Sequence, residues 1–261
     1  MQVKPILEEA EIANLFSSFP NKSHLLLAVS GGPDSLAMMV LAHEFLDAHP
    51  SALKFSAATV HHGLRVQALG EAHHVADIAE KLKIQHEILE WQGQKPNSKI
   101  QELAREARYN LLFAHALKIG ATHVLTAHTL DDQAETILFR MMRGSGMTGL
   151  IGMQPHVKHG TIIHSRPLLD VTKQRLVATC DAHKLEYVDD ASNSNMQFAR
   201  VRLRKIMPAL AAEGLTAQRF LDLSYRVKRA DEALAARVET LWNIGRFHEN
   251  KIGRARVGKE C

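Results

Sequence analysis

A short apolar strand that runs directly into a glycine-rich turn is the feature that most constrains this fold. The apolar stretch is Leu25-Leu26-Leu27-Ala28-Val29, and the turn that follows is Ser30-Gly31-Gly32-Pro33-Asp34-Ser35. Apolar residues then recur at helical spacing at Leu36, Met39 and Val40. We therefore predict a buried parallel strand, a sharp turn in which the glycines let the backbone approach a ligand, and a helix that begins in the turn.

The predicted helix start gives this turn its chemistry. Unpaired N–H groups and the positive end of the helix dipole converge there, which predicts an anion site. The hydroxyls of Ser30 and Ser35 add donors, and a phosphate-bound Mg²⁺ would supply the positive charge that Asp34 needs. The turn lacks the Gly-Lys-Ser/Thr of a Walker A loop and the third glycine of a dinucleotide fingerprint. A simple capping turn is the alternative to phosphate binding.

Composition limits the class of protein. The 261 residues, 46% of them apolar, suit one α/β domain of ordinary to large size with an appendage. The net charge of +4 permits a nucleic-acid partner without requiring one. Cys180 and Cys261 form no Cys-X-X-Cys pair, which argues against a disulfide scaffold, a zinc knuckle and an iron–sulfur cluster. The sequence shows no signal peptide and no apolar run long enough for a membrane span, so we expect a cytoplasmic protein.

Strands and helices alternate along most of the chain. Further strands are predicted over residues 54–60, 85–89, 122–127 and 161–164, with a last strand edge at 187–189. Helices are predicted over residues 5–18, 67–83, from 98 onwards, after 129, over 172–183, from 200 to an interruption at Pro208, and over 216–244. The alternation predicts an α/β fold with a doubly wound parallel sheet and a helical C-terminal extension. We place the domain boundary near residue 212, which divides the chain into 1–212 and 213–261.

A second group of polar residues follows the strand predicted at 122–127. His128 and Thr129 end that strand, and the next helix carries Asp131, Asp132 and Glu135 within one turn. Its predicted apolar stripe is Ala134, Ile137, Leu138, Met141 and Met142. Acids at a helix start are also typical of a solvated face, because the dipole favours negative charge there. Opposite a phosphate loop, however, they suit a Mg²⁺ site or a base that accepts a proton from an attacking amine.

Together these motifs resemble one family. The turn is similar to the Ser-Gly-Gly-X-Asp-Ser loop of the ATP pyrophosphatase (PP-loop) superfamily, whose fold is adenine nucleotide alpha hydrolase-like and Rossmann-like. The segments 126–128, 131–136 and 143–150 resemble the signature of the tRNA(Ile)-lysidine synthetases. His62-Gly63-Leu64-Arg65, the segment 104–109, Arg166-Pro167-Leu168-Leu169 and the segment 190–204 also fit that family. The resemblance therefore spans residues 24 to about 210 in order.

The resemblance implies a reaction with ATP, Mg²⁺, L-lysine and tRNA(Ile). ATP would adenylate the C2 carbonyl oxygen of the wobble cytidine in the CAU anticodon, with release of pyrophosphate. The ε-amine of L-lysine would then displace AMP and give lysidine. No membrane partner is implied, and a homodimer is left open. The chain lacks the paired cysteines of related PP-loop enzymes that insert sulfur into tRNA.

The resemblance also implies roles for individual residues. ATP would bind through Ser30, Gly31, Gly32, Pro33, Asp34, Ser35 and His128. Asp34 would hold Mg²⁺ through the pyrophosphate, Asp132 and Glu135 would position and deprotonate the lysine amine, and Arg108 would stabilise phosphate charge. The residues implied in tRNA binding are Arg143, Arg200, Arg202, Arg204 and Lys205. A merely solvated basic face is the alternative for the run at 200–205.

Two residues and the length depart from the family pattern. The family usually has Asp at the position of His61 and a second His at the position of Thr129, and both positions are expected beside the nucleotide pocket. Family members generally continue into C-terminal tRNA-binding domains, whereas this chain stops after a basic tail; we favour a truncated or short-form enzyme. Two alternatives stay open, another PP-loop adenylating enzyme with a small-molecule product and a non-catalytic nucleotide- or tRNA-binding remnant.

Overall fold

One mostly parallel six-stranded sheet organises the chain. The structure, a computed structural model, describes residues 6–63, 68–93, 100–188 and 199–248. The strands are β1 (His24–Ala28), β2 (Lys54–His61), β3 (Gln85–Glu90), β4 (His123–Leu125), β5 (His156–His159) and β6 (Ile162–Ser165). Their order is β3-β2-β1-β4-β6-β5, and each neighbouring pair is parallel except β5 with β6. The predicted α/β class and doubly wound sheet are confirmed.

Helices cover both faces of this sheet. They are α1 (Glu9–Phe16), α2 (Pro33–Ala48), α3 (Ala68–Lys81), α4 (Ile100–Lys118), α5 (Leu130–Met142), α6 (Met147–Leu150), α7 (Lys173–Ala182), α8 (Ala199–Ala212) and α9 (Ala217–His248). Successive residues of β1 point to opposite faces of the sheet. Leu25 and Leu27 accordingly pack in the core with α1, α2, α3 and α7, while Leu26 packs with Leu112 and Ala116 of α4. None of the helices in the described ranges is long and apolar enough to cross a membrane.

The last helices pack against α5. Phe220 of α9 is buried with Ala134 and Ile137 of α5, and the Oγ of Ser224 donates a hydrogen bond to the carbonyl of Ile151 at 2.6 Å. The predicted apolar stripe of α5 is therefore buried at its start. It is exposed at its end, where Met141 and Met142 are 43% and 68% accessible. The predicted domain boundary near residue 212 coincides with the end of α8 and stays a prediction.

Three local features of the structure differ from the predictions. Edge strand β5 was missed because its sequence, His-Val-Lys-His, is polar and mostly exposed. Residues 187 and 188 lie outside any strand, although the N–H of Val188 donates to the carbonyl of Gly31 at 3.0 Å. Pro208 does not interrupt α8, which continues to Ala212; a proline removes only one backbone hydrogen bond from an otherwise continuous helix. The helix start predicted at Ser98 and the segment 190–198 lie outside the described residues.

Candidate active site

A cleft of about 850 Å³ opens beyond the carboxyl ends of β1, β2 and β4. This is where ligands bind in open parallel sheets. The turn after β1, one side of α4 and the residues after β4 form its walls. Of the predicted site residues, the structure brings Ser30, Gly32, Asp34, Ser35, Arg108, His128 and Arg200 into this lining. Its volume falls in the range typical of small-molecule and cofactor sites.

The turn after β1, residues 30–35, is preorganised around two serines and a glycine of positive φ. The Oγ of Ser35 accepts a hydrogen bond from the N–H of Ser30 at 3.1 Å and donates one to the carbonyl of Gly32 at 3.0 Å. Gly31 has φ +83°, in a region that side chains disfavour, and an added Cβ would lie 3.4 Å from Val75. Helix α2 begins at Pro33 without a side-chain cap on its first N–H groups. These donors therefore face the cleft as an anion site.

Asp34 has one paired and one unpaired carboxylate oxygen. Its Oδ2 accepts a hydrogen bond from the Nζ of Lys173 at 3.0 Å, whereas its buried Oδ1 has no hydrogen-bond partner among the residues that the structure describes. Burial raises the pKa of Asp34, Lys173 lowers it, and the nearby Asp132 and Asp131 raise it further. A buried acceptor among like charges suits a cation. In the described ranges no group of three or more His, Cys, Asp or Glu side chains could hold a metal ion.

Thr129 begins helix α5 and fixes Asp132. Its N–H and Oγ1 donate to Oδ2 of Asp132 at 2.9 and 3.0 Å, and its Oγ1 accepts from the N–H of Asp132 at 3.3 Å. Thr129 is only 1% exposed and does not line the cleft. Thr129 thus lies beside the cleft, next to His128, with its own side chain buried behind the lining. The Thr-X-X-Asp spacing already carried the signal of a reciprocal helix cap.

Replacement of Thr129 by valine is expected to lower the free energy of unfolding by about 1–2 kcal/mol, because valine keeps the buried volume but loses both cap hydrogen bonds. Urea unfolding followed by circular dichroism measures this change. Thr216→Val is the control, since the Oγ1 of Thr216 makes only a weak 3.4 Å contact with an exposed helix start. Equal effects of the two substitutions would contradict the role of the Thr129 cap.

Glu135 is buried against α8 rather than exposed. It is 3% accessible, its Oε1 accepts from Nε of Arg204 at 2.6 Å, and its Oε2 accepts from Nη2 at 3.3 Å. The same guanidinium lies 3.5 Å from Oδ1 of Asp132. Burial raises the pKa of Glu135, and the hydrogen bond and charge of Arg204 oppose that rise. The solvated acidic face offered as an alternative for α5 is therefore wrong for Glu135, because α8 covers that part of the helix.

The predicted basic residues take different positions. Arg108 lies in the cleft and donates to Nε2 of His62 from Nη2 at 3.1 Å. Arg200 lines the cleft, whereas Arg202 and Lys205 are exposed on α8 outside its lining. Arg143 packs over the ring of Phe139, with 4.2 Å from its guanidinium carbon to the ring centroid. At the end of β2, His62 rather than His61 lines the cleft.

A chain of polar side chains behind His128 was not predicted from the sequence. Oγ1 of Thr126 lies 2.8 Å from Nδ1 of His128 and 2.8 Å from Nε2 of His164, and Nδ1 of His164 lies 3.2 Å from Nη2 of Arg166. His164 lies on β6, which pairs with β4. Burial is the main cause that lowers the pKa of His128 to about 4 and that of His164 to about 3. Only the three-dimensional pairing of these strands brings His164 and Arg166 to Thr126.

Comparison with known proteins decides the family. The sequence matches the model of the PP-loop domain over residues 6–210. The chain belongs to the PP-loop family. A tRNA(Ile)-lysidine synthase of Rhodopseudomonas palustris is 46% identical over 224 residues, which cover 86% of this chain and 65% of that protein. A tRNA(Ile)-lysidine synthase of a Bradyrhizobium strain is 44% identical over 257 residues, which cover 96% of this chain and 72% of that protein.

These relatives place the chain with the tRNA(Ile)-lysidine synthases inside the PP-loop family, and the resemblance expected from the motifs is confirmed. PP-loop membership also implies the use of ATP. Among solved structures, the U34-tRNA thiolase NcsA from Methanococcus maripaludis superposes with a TM-score of 0.68 over 86% of this chain and 76% of that one. Its sequence is 18% identical, so this likeness concerns the PP-loop fold.

Proposed function

We propose that this chain attaches L-lysine to C2 of the wobble cytidine in the CAU anticodon of tRNA(Ile), with conversion of ATP to AMP and pyrophosphate. One observation carries the proposal. Lys173 joins the phosphate loop to the acidic start of α5, because its Nζ binds Asp34 at 3.0 Å and its backbone N–H binds Oδ2 of Asp131 at 2.7 Å. These contacts bring the anion site next to the acidic start of α5, as a reaction between a phosphate ester and an amine requires. The side chains of Asp132 and Glu135 do not themselves line the cleft.

The cleft can hold the polyphosphate by its shape and charge. The N–H groups at the start of α2 suit the β- and γ-phosphates, and Arg108 and Arg200 line the same cleft. Asp34 would hold Mg²⁺ through the pyrophosphate, since its buried Oδ1 is unpartnered. When bound, the metal would neutralise charge on the leaving pyrophosphate. The cytidine oxygen could then attack the α-phosphorus.

The carboxylates of α5 suit the second half of the reaction. The ε-ammonium of lysine has to lose a proton before its nitrogen can attack C2, and Glu135 is a carboxylate whose pKa burial raises. The ammonium would compete with Arg204 for Glu135 and Asp132, which already hold one cation. Glu135 takes the proton, the neutral amine forms the C–N bond, and AMP leaves with the C2 oxygen. Asp132, held by Thr129, would orient the amine.

The reaction itself tests the proposal. The chain is incubated with Mg²⁺–ATP, radiolabelled L-lysine and an unmodified transcript of tRNA(Ile) with a CAU anticodon. We expect AMP release that requires both transcript and lysine, together with label in the RNA. A transcript with uridine at the wobble position is the control and should take up no label. AMP release that is independent of RNA would instead indicate another adenylating reaction, and failure to bind ATP would indicate a non-catalytic remnant.

A further inference from the structure

We propose that Thr126, His164 and Arg166 are positioning residues that fix His128 as a hydrogen-bond donor to an anionic phosphate oxygen in the cleft. Thr126 and His128 both line the cleft, whereas His164 is 2% exposed behind them. The four side chains therefore connect the cleft with the protein interior. The identification of the acceptor as phosphate rests on the proposed function. The direction of the hydrogen bonds between the four side chains does not.

The direction of every hydrogen bond follows from Arg166, because a guanidinium can only donate. Nη2 of Arg166 donates to Nδ1 of His164, so that nitrogen carries no proton. A neutral ring must then carry its proton on Nε2, which donates to Oγ1 of Thr126 at 2.8 Å. Oγ1 of Thr126 could accept from both rings, but its hydroxyl proton would then have no acceptor among the described residues; donation to Nδ1 of His128, also at 2.8 Å, satisfies it. His128 therefore carries its own proton on Nε2.

Both imidazoles are neutral at neutral pH, as this argument requires. Burial and Arg166 lower the pKa of His164 to about 3. Burial lowers the pKa of His128 to about 4, although the charge of Asp132 opposes that shift. A protonated His164 would donate from both nitrogens and could not accept from Arg166. The contacts of His128 and His164 thus require neutral rings and hydrogen bonds that run from Arg166 towards His128.

The charges around the cleft indicate which acceptor His128 meets. Arg105, Arg108 and Arg200 line the same cleft, and the start of α2 adds N–H donors. A neutral N–H donor among these cations suits an anionic oxygen and would leave no proton acceptor on His128. Proton removal from the amine then falls to the carboxylates of α5. His128 orients the phosphate. The hydrogen bonds from Thr126, His164 and Arg166 fix the imidazole ring of His128 for this role.

Nuclear magnetic resonance of the chain labelled with ¹⁵N-histidine tests the orientation directly, because the two ring nitrogens of neutral histidine give separate signals. We expect an unprotonated Nδ1 and a protonated Nε2 for His128 in the ligand-free protein, assigned with His128→Gln. Thr126→Val removes the donor to Nδ1 and should mix the two tautomers, whereas Thr126→Ser should restore one. Thr122→Val is the matched control, since Thr122 makes the same contact with Nδ1 of His123 at 2.7 Å on the same strand segment, outside the cleft lining. A protonated Nδ1 on His128 in the unaltered protein would overturn the inference.

Titration with α,β-methylene-ATP tests the acceptor. We expect Thr126→Val to raise the dissociation constant roughly tenfold, Thr126→Ser to recover most of the affinity, and Thr122→Val to leave it unchanged. Arg166→Leu should act in the same direction as Thr126→Val, which keeps a test available if the latter does not fold. Unchanged affinity in both variants would overturn the phosphate contact. If the unaltered protein binds no nucleotide, the proposed function fails. The tautomer of His128 then still tests the direction of the hydrogen bonds from Arg166 to His128.

Discussion

Replacement of Asp34 by asparagine is expected to lower AMP release about a thousandfold without loss of the fold. Asparagine keeps the size and the acceptor oxygen of the side chain but removes the negative charge. Asp34 would hold the metal at the leaving pyrophosphate, and its buried Oδ1 has no hydrogen bond to lose within the described part of the chain. A thousandfold effect corresponds to about 4 kcal/mol of transition-state stabilisation, the scale expected when a metal-binding charge is removed.

The same substitution should not destabilise the chain at neutral pH. Burial raises the pKa of Asp34 above its ordinary value of 3.8, although Lys173 opposes that rise. A raised pKa means that the folded state binds the proton more tightly than the unfolded chain does. The folded chain therefore loses stability as pH rises from about 3.8 through the pKa of Asp34 in the folded state. Asparagine cannot ionise, so the variant does not lose this stability. Asp34→Asn should therefore lower activity without lowering stability at neutral pH.

Steady-state AMP release at saturating Mg²⁺ measures the effect, together with thermal unfolding of both proteins. Asp47→Asn is the matched control, because Asp47 lies on the same helix, is mostly exposed and forms a surface ion pair with His43 at 3.4 Å. It should retain activity within about twofold, as a surface substitution distant from the site does. Asp34→Asn with activity within tenfold of the original chain would remove Asp34 from the metal site.

The parts of this site that lie close together in sequence could be predicted. The turn at residues 30–35 follows from six consecutive residues between a strand and a helix, and the structure places it between β1 and α2 with Ser30, Gly32, Asp34 and Ser35 in the cleft lining. The contact of Glu135 with Arg204 joins residues 69 positions apart, and the apolar spacing within one helix cannot predict a contact between two helices. His164 reaches Thr126 only because β4 pairs with β6 rather than with β5. Strand β5 shows no alternation of buried apolar and exposed polar residues, because it is an exposed edge of the sheet.

Replacement of Glu135 by glutamine is expected to stop lysine transfer while adenylation persists. Glutamine can still accept a hydrogen bond from Arg204, but it cannot take a proton from the lysine ammonium. General-base catalysis contributes about 10²–10⁴-fold, so transfer of radiolabelled lysine should fall by that factor. Exchange of radiolabelled pyrophosphate into ATP in the presence of the transcript reports the adenylation step and should stay within about threefold. A parallel loss of both activities would assign Glu135 a structural role instead.

The dependence of stability on pH separates the charge of Glu135 from its packing. Burial raises its pKa above the ordinary 4.5, so the unaltered chain loses stability as pH rises from about 4.5 through the raised value; Glu135→Gln should lack this loss. Arg204→Leu removes the cation that holds the pKa down, which extends the loss to higher pH and costs about 3 kcal/mol at pH 7.5. Urea unfolding of the three proteins at pH 5 and pH 7.5 measures these slopes. Parallel slopes would mean that the pKa of Glu135 is the same in the folded and unfolded chain, which would contradict a carboxyl group whose pKa is raised by burial.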